Sequence, residues 1–143
     1  MRVLLADDQV WLRSALRLLL ENEANTEVVG EAGNARALAL LVPRLQPELL
    51  FLDWQLPGLD TNSARHHLIT SLRKDDPRLF IIALTNDDKN PVCLRMGADA
   101  IVIQEDTKAD GDKITILEAP RLGRHIRKAG LDFTAGDRPF ALR

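Results

Sequence analysis

The stretch from Leu49 to Asp60 constrains the fold of this chain more than any other part of the sequence. It opens with the apolar run Leu-Leu-Phe-Leu, which is followed directly by Asp53. A continuous apolar run of this kind is typical of a strand buried on both faces, as in a parallel sheet covered by helices. The Pro57-Gly58 pair is a turn signal that ends the strand. Asp53 is therefore predicted at the carboxyl end of a central strand, where open α/β sheets bind their ligands.

Strand-like and helix-like segments alternate along the chain. The predicted strands are short apolar runs at Arg2 to Ala6, Glu27 to Ala32, Leu49 to Leu52, Leu79 to Leu84 and Ala100 to Ile103. Between them, apolar residues recur at helical spacing from Trp11 to Leu20, from Leu38 to Leu45 and from Ala64 to Leu72, and a short helix is predicted from Val92 to Met96. Parallel neighbours need such crossover helices. The pattern predicts an α/β fold, a flavodoxin-like doubly wound five-stranded parallel sheet of order 2-1-3-4-5 with helices on both faces.

Individual residues mark the predicted ends of several elements. Asn34 is a candidate N-cap of the second helix, and Asp60 or Thr61 is a candidate N-cap of the third. Gly97 follows the short helix and is a candidate C′ glycine. The second strand contains Gly30, which favours a position at an edge of the sheet.

Three carboxylates follow strands that this topology places side by side. Asp7 and Asp8 end the first strand, and Asp53 ends the third. Because like charges in one crevice repel, such a site either protonates one group or binds a cation. Oxygen ligands without His or Cys select Mg²⁺ or a similar divalent ion, which would be the cofactor. A single Asp after the first strand could instead be a helix cap. Two adjacent Asp residues opposite a third favour a metal site.

Composition excludes several classes of protein. The chain has 143 residues, 28% of them charged, and no apolar run long enough to span a membrane. Cys93 is the only cysteine, so neither an internal disulfide nor a zinc site built from cysteines is possible. No secretory signal precedes the first strand, so a cytoplasmic location is expected. Residues 121–143 carry six Arg or Lys against two Asp, which we interpret as a solvated basic end.

These residues resemble the receiver domains of two-component response regulators. The resemblance covers residues 2 to about 105 and rests on Asp7-Asp8, the stretch from Asp53 to Asp60, Thr85, and Gly97-Ala98-Asp99. It implies that Asp53 accepts a phosphoryl group from a phosphohistidine on a sensor histidine kinase or phosphotransfer protein. It also implies that Asp7, Asp8, Asp53 and the backbone carbonyl of Gln55 hold Mg²⁺, and that Thr85 hydrogen-bonds the phosphoryl group.

Three positions depart from the family pattern. The lysine that ends the fifth strand in the family is replaced by Gln104, which can donate a hydrogen bond but carries no charge. The aromatic switch residue of the fifth strand is replaced by Ile101, so no polar-tipped ring can move between exposed and buried states. Asn86 follows Thr85 where a smaller residue is usual, and its bulk is expected to hinder access to Asp53.

The segment beyond residue 105 resembles the family less. Ile114 to Leu117 is strand-like in isolation, but we predict a last helix from about Glu118 to Ala129. The expected organisation is a receiver domain over residues 1–130 and an irregular C-terminal tail over residues 131–143. No helix-turn-helix fits in the remaining residues, so no DNA-binding effector domain and no direct DNA binding are expected.

The sequence therefore predicts a stand-alone receiver domain, not an enzyme, that signals through a downstream protein partner. The alternative is a constitutive interaction module, possibly a homodimer, in which the acidic crevice is vestigial. A metal-dependent phosphatase is disfavoured because Gln55 cannot act as the general acid two residues after the nucleophile. A dinucleotide enzyme is disfavoured because the turn after the first strand, Asp-Asp-Gln, contains no glycine.

Overall fold

The computed structural model describes residues 1–86, 92–103 and 116–118 of the chain. Strands and helices alternate as the apolar pattern predicts. In chain order, the described elements are β1 (Arg2–Ala6), α1 (Val10–Glu21), β2 (Glu27–Ala32), α2 (Ala35–Leu45), β3 (Leu49–Asp53), α3 (Asn62–Asp75), β4 (Phe80–Thr85), α4 (Val92–Met96), β5 (Ala100–Ile103) and β6 (Ile116–Glu118).

The described strands form one sheet in the order β2-β1-β3-β4-β5-β6. The pairings from β2 to β5 are all parallel, which confirms the predicted flavodoxin-like order 2-1-3-4-5 and places β2 at an edge. The sequence prediction did not include β6, which pairs antiparallel with β5 beyond the parallel core. Glu118, predicted at the start of a helix, is instead the last residue of this strand.

Side chains of β1 and β3 alternate between two hydrophobic cores, one on each face of the sheet. Leu50 and Leu52 point to the core that also contains buried side chains of α2, α3 and α4. Leu49 and Phe51 point to the opposite core, which contains the buried face of α1. All these β3 side chains are fully buried, as the continuous apolar run predicts. Helices therefore cover both faces of the sheet, as predicted.

The buried face of α1 includes only part of its apolar residues. Leu12, Leu16 and Leu20 pack into the core, whereas Trp11 is 55% exposed. An apolar residue next to a helical stripe satisfies the same periodicity as a core residue, so periodicity does not separate them. The spacing from Trp11 to Leu20 therefore predicts the helix without showing which of its apolar residues are buried.

Polar N-caps begin the helices that follow β2 and β3. The Asn34 side chain accepts a hydrogen bond from the backbone N–H of Ala37 at 2.8 Å, which confirms it as the N-cap of α2. Of the two candidates for α3, Thr61 is the cap, because its hydroxyl accepts from the N–H of Ala64 at 3.1 Å. Gly97 follows α4 with a φ of 117°, the left-handed conformation expected of a C′ glycine.

Some predictions concern residues outside the described ranges. These are Gln104, most of the last predicted helix from Glu118 to Ala129, and the tail over residues 131–143. Within the part of the chain that the structure describes, no helix is long and apolar enough to cross a membrane.

Candidate functional site

Three carboxylates converge at the carboxyl end of the sheet. Asp7 directly follows β1, and Asp53 is the last residue of the neighbouring strand β3. One ligand oxygen each from Asp7, Asp8 and Asp53 lies within 4.8 Å of the others. Asp7 and Asp53 are buried, and Asp8 is exposed at the mouth of this crevice. The predicted convergence of the three side chains is therefore confirmed.

Asp7 is the most constrained of the three acids. One carboxylate oxygen, Oδ1, accepts a hydrogen bond from the backbone N–H of Gln9 at 2.7 Å. The other oxygen, Oδ2, is buried and has no hydrogen-bond donor among the described residues. Burial raises the pKa of Asp7 from 3.8 to about 6, and repulsion from Asp53 and Asp8 adds to the rise. The ionised form of Asp7 is thus destabilised by its surroundings.

Asp53 has a related environment on the adjacent strand. Its Oδ1 accepts a hydrogen bond from the backbone N–H of Gln55 at 2.9 Å. Burial is the main cause that raises the pKa of Asp53, and the neighbouring charge of Asp8 acts in the same direction. The Gln55 hydrogen bond and the positive charge of Arg65 oppose this rise. Asp53 therefore keeps one oxygen tied to the backbone at the edge of an acidic crevice.

The loop after β3 is anchored below the crevice. The side chains of Leu56 and Leu59 are buried in the core. The Pro57 carbonyl accepts a hydrogen bond from the N–H of Ala35, the first residue of α2, at 2.8 Å. Gly58 adopts a φ of 98°, and an added Cβ would lie 2.8 Å from the Cβ of Ala35. The Pro-Gly turn thus allows this loop to lie close to α2, and this contact holds the loop that follows Asp53 in place.

Two arginines that sequence reasoning missed lie beside the acidic crevice. Arg13 of α1 donates from Nη1 to the backbone carbonyl of Asp7 at 2.5 Å. Arg65 of α3 donates from Nε to the backbone carbonyl of Trp54 at 2.7 Å. A charged residue on a helix is usually solvated. Nothing in the sequence therefore indicates that Arg13 or Arg65 lies beside the site, apart from their places near the start of α1 and α3.

The donor set fits a divalent cation such as Mg²⁺. A carboxylate oxygen without a donor is costly when buried, and a cation near it would supply the missing interaction. The ligand atoms are hard oxygens, and this cluster contains neither His nor Cys. Mg²⁺ typically uses one or two carboxylates and retains several waters, which the exposed side of Asp8 would permit.

Comparison with known proteins identifies the family. The model of the response regulator receiver domain matches residues 3–108, which is most of the chain. The chain belongs to the response regulator receiver domain family. Receiver domains act in two-component systems, are regulatory and typically bind Mg²⁺ at an acidic pocket, so the family resemblance inferred from sequence is confirmed.

Relatives and solved structures agree with this assignment. The chain is 32% identical over 128 residues to the nitrate/nitrite response regulator protein NarP of Escherichia coli K12, covering 85% of this chain and 54% of NarP. It is 31% identical to the isolated receiver domain of RcsB from Salmonella enterica serovar Typhimurium, solved in the presence of the phosphomimetic BeF₃⁻. That likeness has a TM-score of 0.63 and covers 73% of this chain and 78% of that one.

The comparisons also bear on DNA. RcsB of the same Salmonella serovar has been solved bound to the promoter rprA, with 30% identity, a TM-score of 0.63, and coverage of 78% of this chain and 57% of that one. The chain spans about half, or less, of the length of the curated relatives it matches first. The expectation that this protein does not bind DNA therefore finds no support in its relatives.

The structure also describes three of the other predicted site residues: Thr85, Asn86 and Ile101. Thr85 is the buried last residue of β4, one position beyond Leu84, the Cα partner of Asp53. Asn86 follows it and is exposed. Ile101 of β5 is fully buried in the core shared with α2, α3 and α4. The roles of these residues in switching stay predictions.

Proposed function

We propose that the chain receives a phosphoryl group on Asp53 from a phosphohistidine of a sensor histidine kinase or phosphotransfer protein. The observation that carries the proposal is the cluster of Asp7, Asp8 and Asp53, with ligand oxygens within 4.8 Å and the buried Oδ2 of Asp7 lacking a donor in the described part of the chain. Such a cluster is suited to a divalent cation, and a cation is what a phosphoryl group needs beside a carboxylate.

The proposed transfer is a substitution at phosphorus. A carboxylate oxygen of Asp53 attacks the phosphorus atom, and the bond between phosphorus and the imidazole nitrogen breaks. The imidazole keeps the bonding electron pair and takes up a proton, while Asp53 becomes an acyl phosphate. Asp53 must be ionised to attack, so its raised pKa disfavours transfer at acidic pH.

The backbone presents Asp53 for this attack. The Gln55 N–H holds Oδ1, which leaves the second carboxylate oxygen as the candidate nucleophile. Asp7, Asp8 and Asp53, together with the Gln55 carbonyl, would hold Mg²⁺. When bound, Mg²⁺ would neutralise charge on the phosphoryl oxygens and so lower the repulsion between the phosphoryl group and the carboxylates. Thr85, at the end of β4, is proposed to hydrogen-bond the phosphoryl group.

Output is proposed to pass through protein contacts of the receiver domain. Phosphorylation replaces the single negative charge of the Asp53 carboxylate with an acyl phosphate that carries roughly 1.5 to 2 negative charges, and a downstream protein partner must distinguish the two states by differential contacts.

One observation favours a second function. Ile101 is a fully buried aliphatic residue at the family's aromatic switch position, and Gln104 replaces the family's lysine. A buried aliphatic side chain has no polar tip that would gain from moving to the surface. We therefore propose, as the alternative, a constitutive interaction or dimerisation module whose partner contacts do not depend on phosphorylation.

Intact-mass analysis after incubation with Mg²⁺ and acetyl phosphate tests the first proposal. We expect one phosphoryl adduct on the wild-type chain, no adduct on Asp53→Asn, and the wild-type adduct on Asp60→Asn, which removes an exposed acid from the same loop. Binding of beryllofluoride, measured in parallel, should follow the same pattern. Wild-type protein that forms no adduct and binds no mimic at millimolar Mg²⁺ would overturn phosphorylation and favour the constitutive module.

A further inference from the structure

The guanidinium of Arg65 is held beside the residue that follows Asp53. Arg65 lies in the first turn of α3 and donates from Nε to the Trp54 carbonyl at 2.7 Å and from Nη1 to Oδ1 of Asn62 at 3.0 Å. Its guanidinium carbon lies 5.5 Å from the centroid of the Trp54 ring, which is a cation–π contact. Three contacts thus fix the position of a side chain that is normally flexible.

The backbone N–H and the backbone carbonyl of Trp54 both form hydrogen bonds. Its N–H donates to the carbonyl of Leu84 in β4 at 2.8 Å, and its carbonyl accepts from Arg65 in α3. The next N–H, that of Gln55, holds the Asp53 carboxylate. Arg65 therefore contributes to the rigidity of the backbone that orients Asp53.

Among the described residues, no carboxylate forms an ion pair with Arg65. Arg13, the other arginine beside the crevice, forms an ion pair with Glu31 at 2.9 Å. Arg65 has no carboxylate within salt-bridge distance in the described part of the chain, and both of its hydrogen-bond acceptors are neutral amide oxygens. Its Nε lies 2.7 Å from the carbonyl oxygen of Trp54, the residue that follows Asp53, so its positive charge is held close to the phosphoacceptor.

By the family resemblance, the uncharged Gln104 stands at the position of the family's lysine. An uncharged amide makes weaker hydrogen bonds to phosphoryl oxygens than an ammonium group does. A phosphoryl group on Asp53 would therefore depend more on any other fixed positive charge near it.

We propose that Arg65 supplies a fixed positive charge that favours a phosphoryl group on Asp53. This inference rests on the proposed function. It makes a prediction that a merely structural role for Arg65 does not make. A fixed positive charge repels Mg²⁺ and attracts the phosphoryl group, so its removal should change the two affinities in opposite directions.

The test measures both affinities in one set of variants at pH 8. Trp54 follows Asp53 directly, so its fluorescence reports on the crevice, and a Trp11→Phe background removes the second, exposed tryptophan. Arg65→Gln removes the charge, and Arg65→Lys keeps it. Arg78→Gln is the matched control, because Arg78 lies before β4 at the opposite end of the sheet and its side chain is 94% exposed.

For Arg65→Gln we expect Mg²⁺ to bind about threefold more tightly, and beryllofluoride at saturating Mg²⁺ to bind about threefold more weakly, as for a partly screened charge. Arg65→Lys and Arg78→Gln should both stay within about twofold of wild type for both ligands. Arg65→Gln that weakens both ligands, or that changes neither, would overturn the inference while leaving the phosphorylation proposal standing. Absence of mimic binding in the wild type would instead overturn both.

Discussion

Two buried aspartates at opposite ends of the sheet have opposite surroundings. Asp99 precedes β5, and its Oδ2 accepts from Nη2 of Arg73 at 2.5 Å and from the N–H of Ile81 at 2.8 Å. Asp7 follows β1 at the carboxyl end, and its Oδ2 has no donor among the described residues. Both side chains are almost completely buried. The same residue type is therefore satisfied at one end of the sheet and unsatisfied at the other.

The different surroundings of Asp99 and Asp7 indicate different roles, one in stabilising the fold and one in binding a ligand. A buried charge that is paired and hydrogen-bonded is tolerated within a fold, and removing its partner is costly. Arg73 also donates to the carbonyls of Gly97 and Leu79, so this ion pair joins α3 to the segments that lead into β4 and β5. A buried carboxylate oxygen without a donor, such as Oδ2 of Asp7, lowers stability unless a ligand supplies the missing interaction. The contacts of Arg73 and Asp99 at the amino end of the sheet stabilise the fold. The carboxyl end carries the acidic cluster that is proposed to bind Mg²⁺.

The largest effect should come from breaking the satisfied pair. Arg73→Met leaves the Asp99 carboxylate buried without its cation and removes two further carbonyl contacts. We expect the free energy of unfolding to fall by about 3 kcal/mol, at the lower end for buried pairs because the Arg73 side chain is 22% exposed. Urea unfolding at pH 8 measures this loss.

Arg78→Met is the matched control for that measurement. Its side chain is 94% exposed and lies 3.9 Å from Asp76, so we expect a change within about 0.5 kcal/mol. Equal losses in the two variants would mean that the Arg73 ion pair contributes no more than a surface charge.

The next effect concerns the unsatisfied acid and has the opposite sign. Because the pKa of Asp7 is raised from 3.8 to about 6, the folded state binds more protons than the unfolded state between these values. The metal-free protein should therefore gain about 2 kcal/mol of unfolding free energy as the pH falls from 8 to 4.5. Asp53, whose pKa is also raised, should add to this gain.

Asp7→Asn should remove most of this pH dependence. It should also be more stable than wild type at pH 8 in the presence of a chelator, since position 7 then carries no buried carboxylate to ionise. Urea unfolding from pH 8 to 4.5 compares the two proteins. A wild-type curve that is flat, or that falls toward acid, would show that Asp7 is not destabilised in the folded state.

Mg²⁺ should reverse the disadvantage of the carboxyl end. A cation that binds only the folded state stabilises it by about 1.4 kcal/mol when present at ten times its dissociation constant. We expect this stabilisation in thermal or urea unfolding of the wild type and its loss in Asp7→Asn. A divalent ion that stabilises both proteins equally would place the binding site elsewhere.

The fold could be predicted where buried residues form a recognisable apolar pattern in the local sequence. The runs in β3 and β4 are buried on both faces, so each residue carries the same apolar signal and the strands are readable from sequence. The exposure of Trp11 could not be predicted, because it depends on what packs next to the helix, which periodicity does not encode. The antiparallel pairing of β6 with β5 depends on a contact between segments that no local pattern specifies.

The candidate site divides in the same way. Asp7, Asp8 and Asp53 were predictable because parallel strands bring their carboxyl ends to one edge of the sheet. The positions of Arg65 and Arg73 were not, because an arginine on a helix is usually solvated. Asp99 belongs to a motif that the sequence shows, but its pairing with Arg73 depends on how α3 packs.

The smallest expected effect comes from a third acid, Glu31, which is paired like Asp99 but exposed. It accepts from Nε of Arg13 at 2.9 Å and from Nη2 of Arg17 at 2.6 Å, and the hydrogen bond from Arg17 is the main cause that lowers its pKa. A lowered pKa means that these pairs stabilise the fold above pH 4.5 and lose their effect as the pH falls further.

Because solvent screens exposed pairs, Glu31→Gln should lower the unfolding free energy by only about 0.5 kcal/mol at pH 8, and by less in high salt. Urea unfolding at low and high ionic strength measures both quantities. A loss as large as that of Arg73→Met would contradict the comparison, since pairing alone, and not pairing combined with burial, would then determine how much an acid contributes to this fold.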